Sequence, residues 1–320
     1  MSIRSRLLLF ATATLLATQV FASDRLTLRI GDQKGNMRAQ LEAADALRDL
    51  PYDIRWAEFP AAAPLAEALN AGAIDAGIIG DAPLLFVLAS GAPVKAIAVD
   101  KSDPYGTAVL VRPDAALHGA AELKGKRIAT GRGSIGHHLA LKALDQVGLS
   151  EKDVEFRFLG PVDAKIALAN GSVDAWSTWE PYTALAELSG QGKVLVNGRG
   201  LSSGNSFLAA TDKALDDPAR KAALQDYLAR LAGAQVWAYQ HLDSYSQTLA
   251  AIIGFPQDAA RLQFERRQLR WQAIDAKTIG EQQETADFYH AHGLMNQRLD
   301  VAPTFASGFT VPATDSLAQH

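Results

Sequence analysis

A nine-residue pattern occurs twice in this chain: Ala68-Leu69-Asn70-Ala71-Gly72-Ala73-Ile74-Asp75-Ala76 is echoed 99 residues later by Ala167-Leu168-Ala169-Asn170-Gly171-Ser172-Val173-Asp174-Ala175. In each copy a helical face ends at a glycine, the usual helix stop, and an Asp-Ala pair opens a short β-rich run. That run reaches a loop holding an acid and a proline, Gly80-Asp81-Ala82-Pro83 in the first copy and Trp179-Glu180-Pro181 in the second. Each copy also follows an earlier strand that ends in a glycine loop, Gly31-Asp32-Gln33-Lys34-Gly35 in one case and Gly131-Arg132-Gly133-Ser134-Ile135-Gly136 in the other. Two α/β lobes of one plan would face each other with their strand-end loops across a cleft, where open α/β sheets hold their ligands. The competing reading is a common helix-to-strand joint that recurs by chance.

The rest of the chain extends this plan. Candidate strands at 26–30, 53–59, 76–79, 94–99, 107–111, 127–130, 154–159, 174–177, 193–196 and 206–210 alternate with helical patterns at 37–48, 64–70, 137–147 and 163–170. That order predicts mostly parallel sheets in an α/β protein. Beyond about residue 211 the pattern turns helical and stays so to about 295, and residues 301–320 read as a loose tail.

Composition removes several function classes. The 320 residues include no cysteine, which excludes a disulfide scaffold, a thiolate nucleophile, a cysteine zinc site and a lipid anchor on cysteine. With 31 basic against 35 acidic residues, a formal net charge of -4 and no basic stripe, no nucleic-acid partner is expected. Arg4 and Arg6 precede an apolar run from Leu7 to Val20, and Val20-Phe21-Ala22 places small residues at the cleavage positions. This predicts a secretory signal cleaved after Ala22; the run is shorter than the roughly 20 residues that cross a bilayer, although a retained anchor is the competing reading. Without a lipid-anchor cysteine, the expected location is the periplasm.

The motifs that carry chemistry are few. Gly131-x-Gly133-x-x-Gly136 formally matches a dinucleotide fingerprint, but the following strand ends Phe158-Leu159-Gly160, without the acid that would hold a ribose. What survives is a helix start, whose free amides and dipole favour an anion near Gly133, Ser134 and Ile135, with a purely structural turn as the alternative. His137 falls in the first turn of that helix, placed either to donate to the anion or to pack. The seven histidines show no metal spacing, and no cofactor is expected. No G-x-S-x-G elbow is present, and no nucleophile, base and acid can be assembled, so the chain does not read as an enzyme. Trp179, at the mouth of a second-lobe strand, is placed to cover an apolar ligand tail. Trp56 and Trp237 read as core, while Trp271, after the basic run 266–270, either rims the cleft or packs inside.

Taken together, Arg29-Ile30-Gly31-Asp32-Gln33-Lys34-Gly35, the Gly80 to Pro83 loop, Leu123-Lys124-Gly125-Lys126-Arg127-Ile128-Ala129 leading to Gly133-Ser134-Ile135-Gly136-His137, and Asp174-Ala175-Trp176-Ser177-Thr178-Trp179-Glu180-Pro181-Tyr182 resemble the substrate-binding proteins of nitrate, sulfonate and taurine ABC transporters. The aliphatic sulfonate-binding branch is the most similar, over roughly residues 25 to 300. The resemblance implies a monomeric two-lobe periplasmic-binding protein of type II, each lobe a mostly parallel sheet flanked by helices, that closes on a small organic anion and delivers it to a membrane permease. Lobe one would comprise 23–106 and 211–300, and lobe two 107–210, with crossings near residues 105–107 and 205–206. Gly133, Ser134 and His137 would hold the anionic head with Gln33, Gly106 and Thr107; Trp179, Tyr105 and Trp271 would cover the tail. Glu180 stands where the family often carries Asp, and Ile135 where it often carries Ser or Ala. Asp81 would cap its own helix, or meet an ammonium on a taurine-like ligand. Taurine, sulfate esters and nitrate remain alternative ligands, and a pyrimidine-precursor enzyme of the same fold is the rival, though it leans on a cysteine and histidine cluster absent from this chain.

Overall fold

The computed structural model describes residues 25–312; the expected signal segment and residues 313–320 lie outside the described residues. The strands are β1 (Thr27–Gln33), β2 (Asp53–Phe59), β3 (Ala76–Gly80), β4 (Val94–Lys101), β5 (Ala108–Val111), β6 (Arg127–Thr130), β7 (Glu155–Phe158), β8 (Ala175–Thr178), β9 (Lys193–Asn197), β10 (Asn205–Thr211) and β11 (Arg270–Gln272). The helices are α1 (Asn36–Ala43), α2 (Ala62–Asn70), α3 (Asp81–Ala89), α4 (Ile135–Gln146), α5 (Pro161–Ala169), α6 (Tyr182–Leu188), α7 (Asp212–Asp216), α8 (Pro218–Gln240), α9 (Leu242–Ile253), α10 (Gln257–Arg267) and α11 (Ala276–Ala291).

Among the described residues these strands form a six-stranded sheet in the order β11-β4-β10-β3-β1-β2 and a five-stranded sheet in the order β7-β6-β8-β5-β9. Parallel pairing joins β1 to β2 and β3, and β6 to β7 and β8. The antiparallel members include β10, set between β3 and β4, and β5, set between β8 and β9. Their reversal has a topological cause. β1, β3, β6 and β8 end at the cleft, whereas β5 and β10 are the strands by which the chain enters each lobe from the crossing, so they run away from it.

The repeated pattern is a structural repeat. In lobe one the Arg29 backbone N–H donates to Asp75 Oδ2 at 2.8 Å, Nη2 reaches Oδ1 at 2.5 Å and Nη1 donates to the Gly72 carbonyl at 2.8 Å. In lobe two the Arg127 N–H donates to Asp174 Oδ2 at 2.9 Å, and Nη2 reaches both Asp174 Oδ1 and the Gly171 carbonyl at 2.9 Å. Each copy uses the same aspartate and the same glycine carbonyl to tie the helix-to-strand joint onto the first strand of its sheet, which makes chance recurrence a poor account.

Three expectations need correction. β10 belongs to the lobe-one sheet, so lobe two ends before 205 rather than at 210; β10 contributes Phe207 and Leu208, both fully buried, to the lobe-one cores. The stretch after 300 is no loose tail up to residue 312. Val301 is fully buried, the Ala306 N–H donates to the Ala96 carbonyl at 2.9 Å, and Phe309 packs with the lobe-one core. The helix expected at 37–48 stops at Ala43.

The lobes touch on both flanks of the cleft. On one flank α4 meets α3 and α11 in a shared apolar cluster of Leu85, Leu141 and Tyr289. On the other, the Tyr182 hydroxyl donates to the Pro60 carbonyl at 3.2 Å.

Candidate functional site in the inter-lobe cleft

The site is assembled from strand ends. At the end of β1 the buried Asp32 carboxylate accepts the N–H groups of Met37 and Arg38 at 2.9 and 2.8 Å, anchoring the turn into α1. Beside it, Gln33 Nε2 donates to the Ile78 carbonyl at 2.7 Å and lies along the cleft wall. Beyond β3, Asp81 opens α3. One of its oxygens accepts the Ala82 N–H and the other the Ser203 hydroxyl, each at 2.6 Å. Burial pushes the Asp81 carboxyl upward, against those hydrogen bonds.

After β6 the chain makes a left-handed turn at Gly133, φ 68°, and enters α4. A side chain there would be strained by that φ and would crowd the Phe86 ring. Ser134 is the N-cap: its hydroxyl accepts the His137 N–H at 3.1 Å, and its own N–H donates to the Gly131 carbonyl at 3.1 Å. The N–H groups of Ile135 and Gly136, the first two of the helix, have no acceptor among the described residues. They provide the anion-favouring helix start expected from the glycine loop.

After β8 come Trp179 and Glu180, the latter joined to Pro181 by a cis peptide bond. Glu180 is paired with Arg266 from α10, whose Nη1 also reaches Glu187 Oε2 at 2.5 Å. The Glu180 carboxylate packs against Gly106 at the crossing so closely that a Cβ on that glycine would collide with it. Burial raises the Glu180 carboxyl despite the opposing Arg266 charge.

These elements enclose a continuous cleft. A central cavity of about 80 Å³ includes Gln33, Ser134, Ile135 and Trp179 in its wall, and a hinge-side cavity of about 60 Å³ includes Asp81, Gly106, Thr107 and Asn205. Ile135, Trp179, Glu180, Ser206 and Arg267 line both. Arg267 is the guanidinium shared by the two. It donates to Asn36 Oδ1 at 3.3 Å, and among the described residues it has no carboxylate ion pair, in contrast to its neighbour Arg266.

Of the residues singled out from the sequence, Gln33, Asp81, Gly106, Thr107, Gly133, Ser134, Trp179 and Glu180 line the cleft. Three do not. The Tyr105 ring sits beside the crossing between the guanidinium groups of Arg199 and Arg266, 5.1 and 5.3 Å from its centroid. Trp271 is buried in the lobe-one core on β11, paired with Asp100 of β4. The His137 ring turns inward, edge-on to Phe156 and Phe158, and does not face the cleft. Sequence reasoning missed Arg267 and Ser206. The run 266–270 was visible, but it supplies a C-terminal helix turn whose two arginines diverge, and nothing local says which one reaches the cleft.

A family model described as NMT1/THI5 like matches residues 57–217. A relative from Escherichia coli (strain K12), named for the binding of aliphatic sulfonates, is 34% identical over 300 residues, 91% of this chain and 93% of its own. The chain belongs to the NMT1/THI5-like family. A Bacillus subtilis (strain 168) relative with the same name is 31% identical over 85% of this chain and 81% of its own. The solved alkanesulfonate-binding protein of Xanthomonas axonopodis pv. citri, bound to MOPS, is 34% identical and superposes with a TM-score of 0.83 over 89% of this chain and 99% of its own. The resemblance read from the motifs and the two-lobe fold are thereby borne out. Within this NMT1/THI5-like chain the matched segment carries the α4 start, Trp179 and Glu180, while Gln33 and Arg267 come from outside it.

Proposed function

We propose that this NMT1/THI5-like protein is a periplasmic solute-binding protein that captures an aliphatic sulfonate between its lobes and delivers it to the permease of an ABC importer, acting as a monomer and without turnover. The observation that carries this reading is the pairing, in one cavity wall, of Arg267, free of any carboxylate ion pair among the described residues, with the helix start at Ser134 and Ile135. A sulfonate is permanently anionic and its oxygens only accept hydrogen bonds, so a guanidinium fork and free amides suit its head. The Thr107 and Ser206 hydroxyls and Gln33 are within the same walls and would complete the cage. The two acids at the cleft need not repel the head strongly: Glu180 is neutralised by Arg266, and both Asp81 oxygens are occupied. That occupancy also argues against Asp81 as an ammonium site. Trp179, which spans the cavities, would lie against the organic tail.

A panel of small anions tested by thermal shift and calorimetry checks this. Ligand at 100 times its dissociation constant stabilises a fold by about 2.7 kcal/mol, so a sulfonate that binds raises the melting temperature measurably. Stabilisation by nitrate but by no sulfonate would overturn the ligand assignment, and sulfite release from bound sulfonate would overturn binding without turnover. Sequencing of the secreted protein's first residues tests cleavage after Ala22.

A further inference from the structure

The chain contains two Asn-Gly steps, Asn170-Gly171 and Asn197-Gly198. At such a step the missing side chain leaves the glycine nitrogen open to the carboxamide carbon before it, so a succinimide ring can close wherever the backbone is free to turn. The structure sets the two apart. Asn197 ends β9 in register with Ala108 of β5, and Gly198 is buried so close to the Pro104 carbonyl that a Cβ would collide with it. Asn170 is exposed and caps the end of α5, where Gly171 takes a φ of 76° and its N–H donates to the Leu168 carbonyl at 3.2 Å, a bond in a last turn of the kind that frays. Asn170 Oδ1 also accepts the Ser172 N–H at 2.9 Å, which draws electron density from the carboxamide carbon. Asn197 has a matching bond from the Arg199 N–H at 3.0 Å, so that feature does not separate them. A guanidinium does. Arg112 lies against Gly171, its Nη1 3.4 Å from where a Cβ would stand, and that nitrogen is buried with no hydrogen-bond partner among the described residues. A positive charge there stabilises the amide anion and the oxyanion through which the ring closes.

We propose that Asn170 is a site of spontaneous modification by water, converted in the folded protein to aspartate and isoaspartate, while Asn197 is kept as the amide. The Gly171 nitrogen gives its proton to water or hydroxide and bonds to Asn170 Cγ; the Cγ–Nδ2 bond breaks, and that nitrogen takes a proton from water and leaves as ammonia. Water then opens the ring. Cleavage between Cγ and the Gly171 nitrogen leaves aspartate in the original main chain, whereas cleavage at the Asn170 main-chain carbonyl leaves isoaspartate, with the chain routed through Cγ. Each product is the starting amide plus one water less one ammonia. Isoaspartate lengthens the main chain by a methylene directly before Gly171, whose carbonyl accepts Arg127 Nη2 at 2.9 Å, and so loosens the lobe-two joint. The lobe-one copy carries Ala71 before Gly72 and is exempt.

Trypsin places the two steps in neighbouring peptides, Ile166–Lys193 and Val194–Arg199, each with one asparagine. Mass spectrometry follows amide-to-acid conversion in both, on folded protein and on protein in denaturant held in the same mildly alkaline buffer, and fragment spectra assign the change to Asn170 rather than Gln191. The expected result is conversion of Ile166–Lys193 at least about tenfold ahead of Val194–Arg199 in the folded protein, equivalent to a local opening easier by about 1.4 kcal/mol, with similar rates for the two in denaturant. Arg112→Gln, with its melting temperature as a folding control, should slow the folded-state conversion at Asn170 by about threefold or more and leave the denatured rate unchanged. Equal rates for the two peptides in folded protein, or an Ile166–Lys193 peptide that stays amide there while converting in denaturant, overturns the site. Folded Arg112→Gln protein that converts at the unmodified rate overturns the part given to the guanidinium.

Discussion

The Gly133 N–H donates to Nδ1 of His137 at 3.2 Å, so the turn that starts α4 is braced from within by an imidazole acting as acceptor. That role requires a neutral ring. Burial, and then the Arg132 charge, lower the His137 pKa from 6.5 to about 4. An imidazolium donating to the bound anion, one of the roles the sequence suggested, is therefore replaced by a structural one. Sulfonate affinity measured by calorimetry should be flat between pH 5.5 and 8. A gain of about tenfold below pH 6 would restore a charged histidine to the site.

His138, buried beside it against the edges of Phe288 and Tyr289, is lowered from 6.5 to about 3, by burial first and then by Lys142 and His137. The folded state thus binds fewer protons than the unfolded chain between pH 6.5 and 3, and stability from this group is lost as pH falls through that window. His138→Phe removes the effect. Denaturant melts at pH 8 and pH 5 should show the unmodified protein losing on the order of 2 kcal/mol relative to the variant at the lower pH. Parallel losses in both proteins would refute the assignment.

Arg267→Gln should weaken sulfonate binding by about 2 kcal/mol, near thirtyfold, since a hydrogen-bonded charge is lost from the anion's cage. Arg267→Lys keeps the charge without the fork and should recover only part of it. Calorimetry on both variants, with melting temperatures as a folding control, measures the effect. Wild-type affinity in folded Arg267→Gln would place the head elsewhere.

A Cβ at position 106 would meet the Glu180 carboxylate, which holds Arg266 across the lobes. Gly106→Ala should therefore disturb that ion pair and destabilise the protein by about 1 to 3 kcal/mol through overpacking. The Glu180→Gln exchange leaves Arg266 its Glu187 partner and should cost less. Chemical denaturation ranks the two.

The paired clamps differ in burial: the Asp75 side chain is 3% exposed and that of Asp174 is 26% exposed. Burial opposes ionisation of Asp75, but the hydrogen bonds from Arg29 outweigh it and hold its carboxyl below the usual range. Asp75→Ala strands both Arg29 and Arg220 beside a buried site and should cost about 3 kcal/mol; Asp174→Ala, where the aspartate is part-exposed and holds one arginine, about 1 kcal/mol. Equal losses would show that burial does not separate the two copies.

The recurrent Gly-x-[Ile/Val]-Asp-Ala joint, the glycine loops and the acid-proline loops were legible because each is a local device, whose residues stand close in the chain and whose geometry follows from turn and cap chemistry. From these the two lobes, the cleft and the loops that carry Asp81, Gly133, Ser134, Trp179 and Glu180 could be placed, while Gln33, Gly106 and Thr107 were assigned to the cleft through the family resemblance. Local pattern did not reveal that β10 returns to the lobe-one sheet, since a strand reads the same whichever sheet it joins. It also left the side chains of α4 unassigned, because a helix start exposes its amides to one side and sends His137 to the other only when Phe156 and Phe158 stand behind it.

By itself, then, the sequence determined the repeated α/β plan, the anion-favouring helix start and the loops that face it, all consequences of neighbouring residues and backbone geometry. Tertiary structure decided which charges survive unpaired. Arg266 is consumed by Glu180 and Glu187, and Arg267, one residue later, donates to Asn36 from 231 positions away and lines the cleft. Trp271 fills the core instead of the cleft rim because β11 pairs with β4 and carries the ring inward. Such outcomes depend on what distant segments bring to the same place, and no spacing within a run of arginines encodes them.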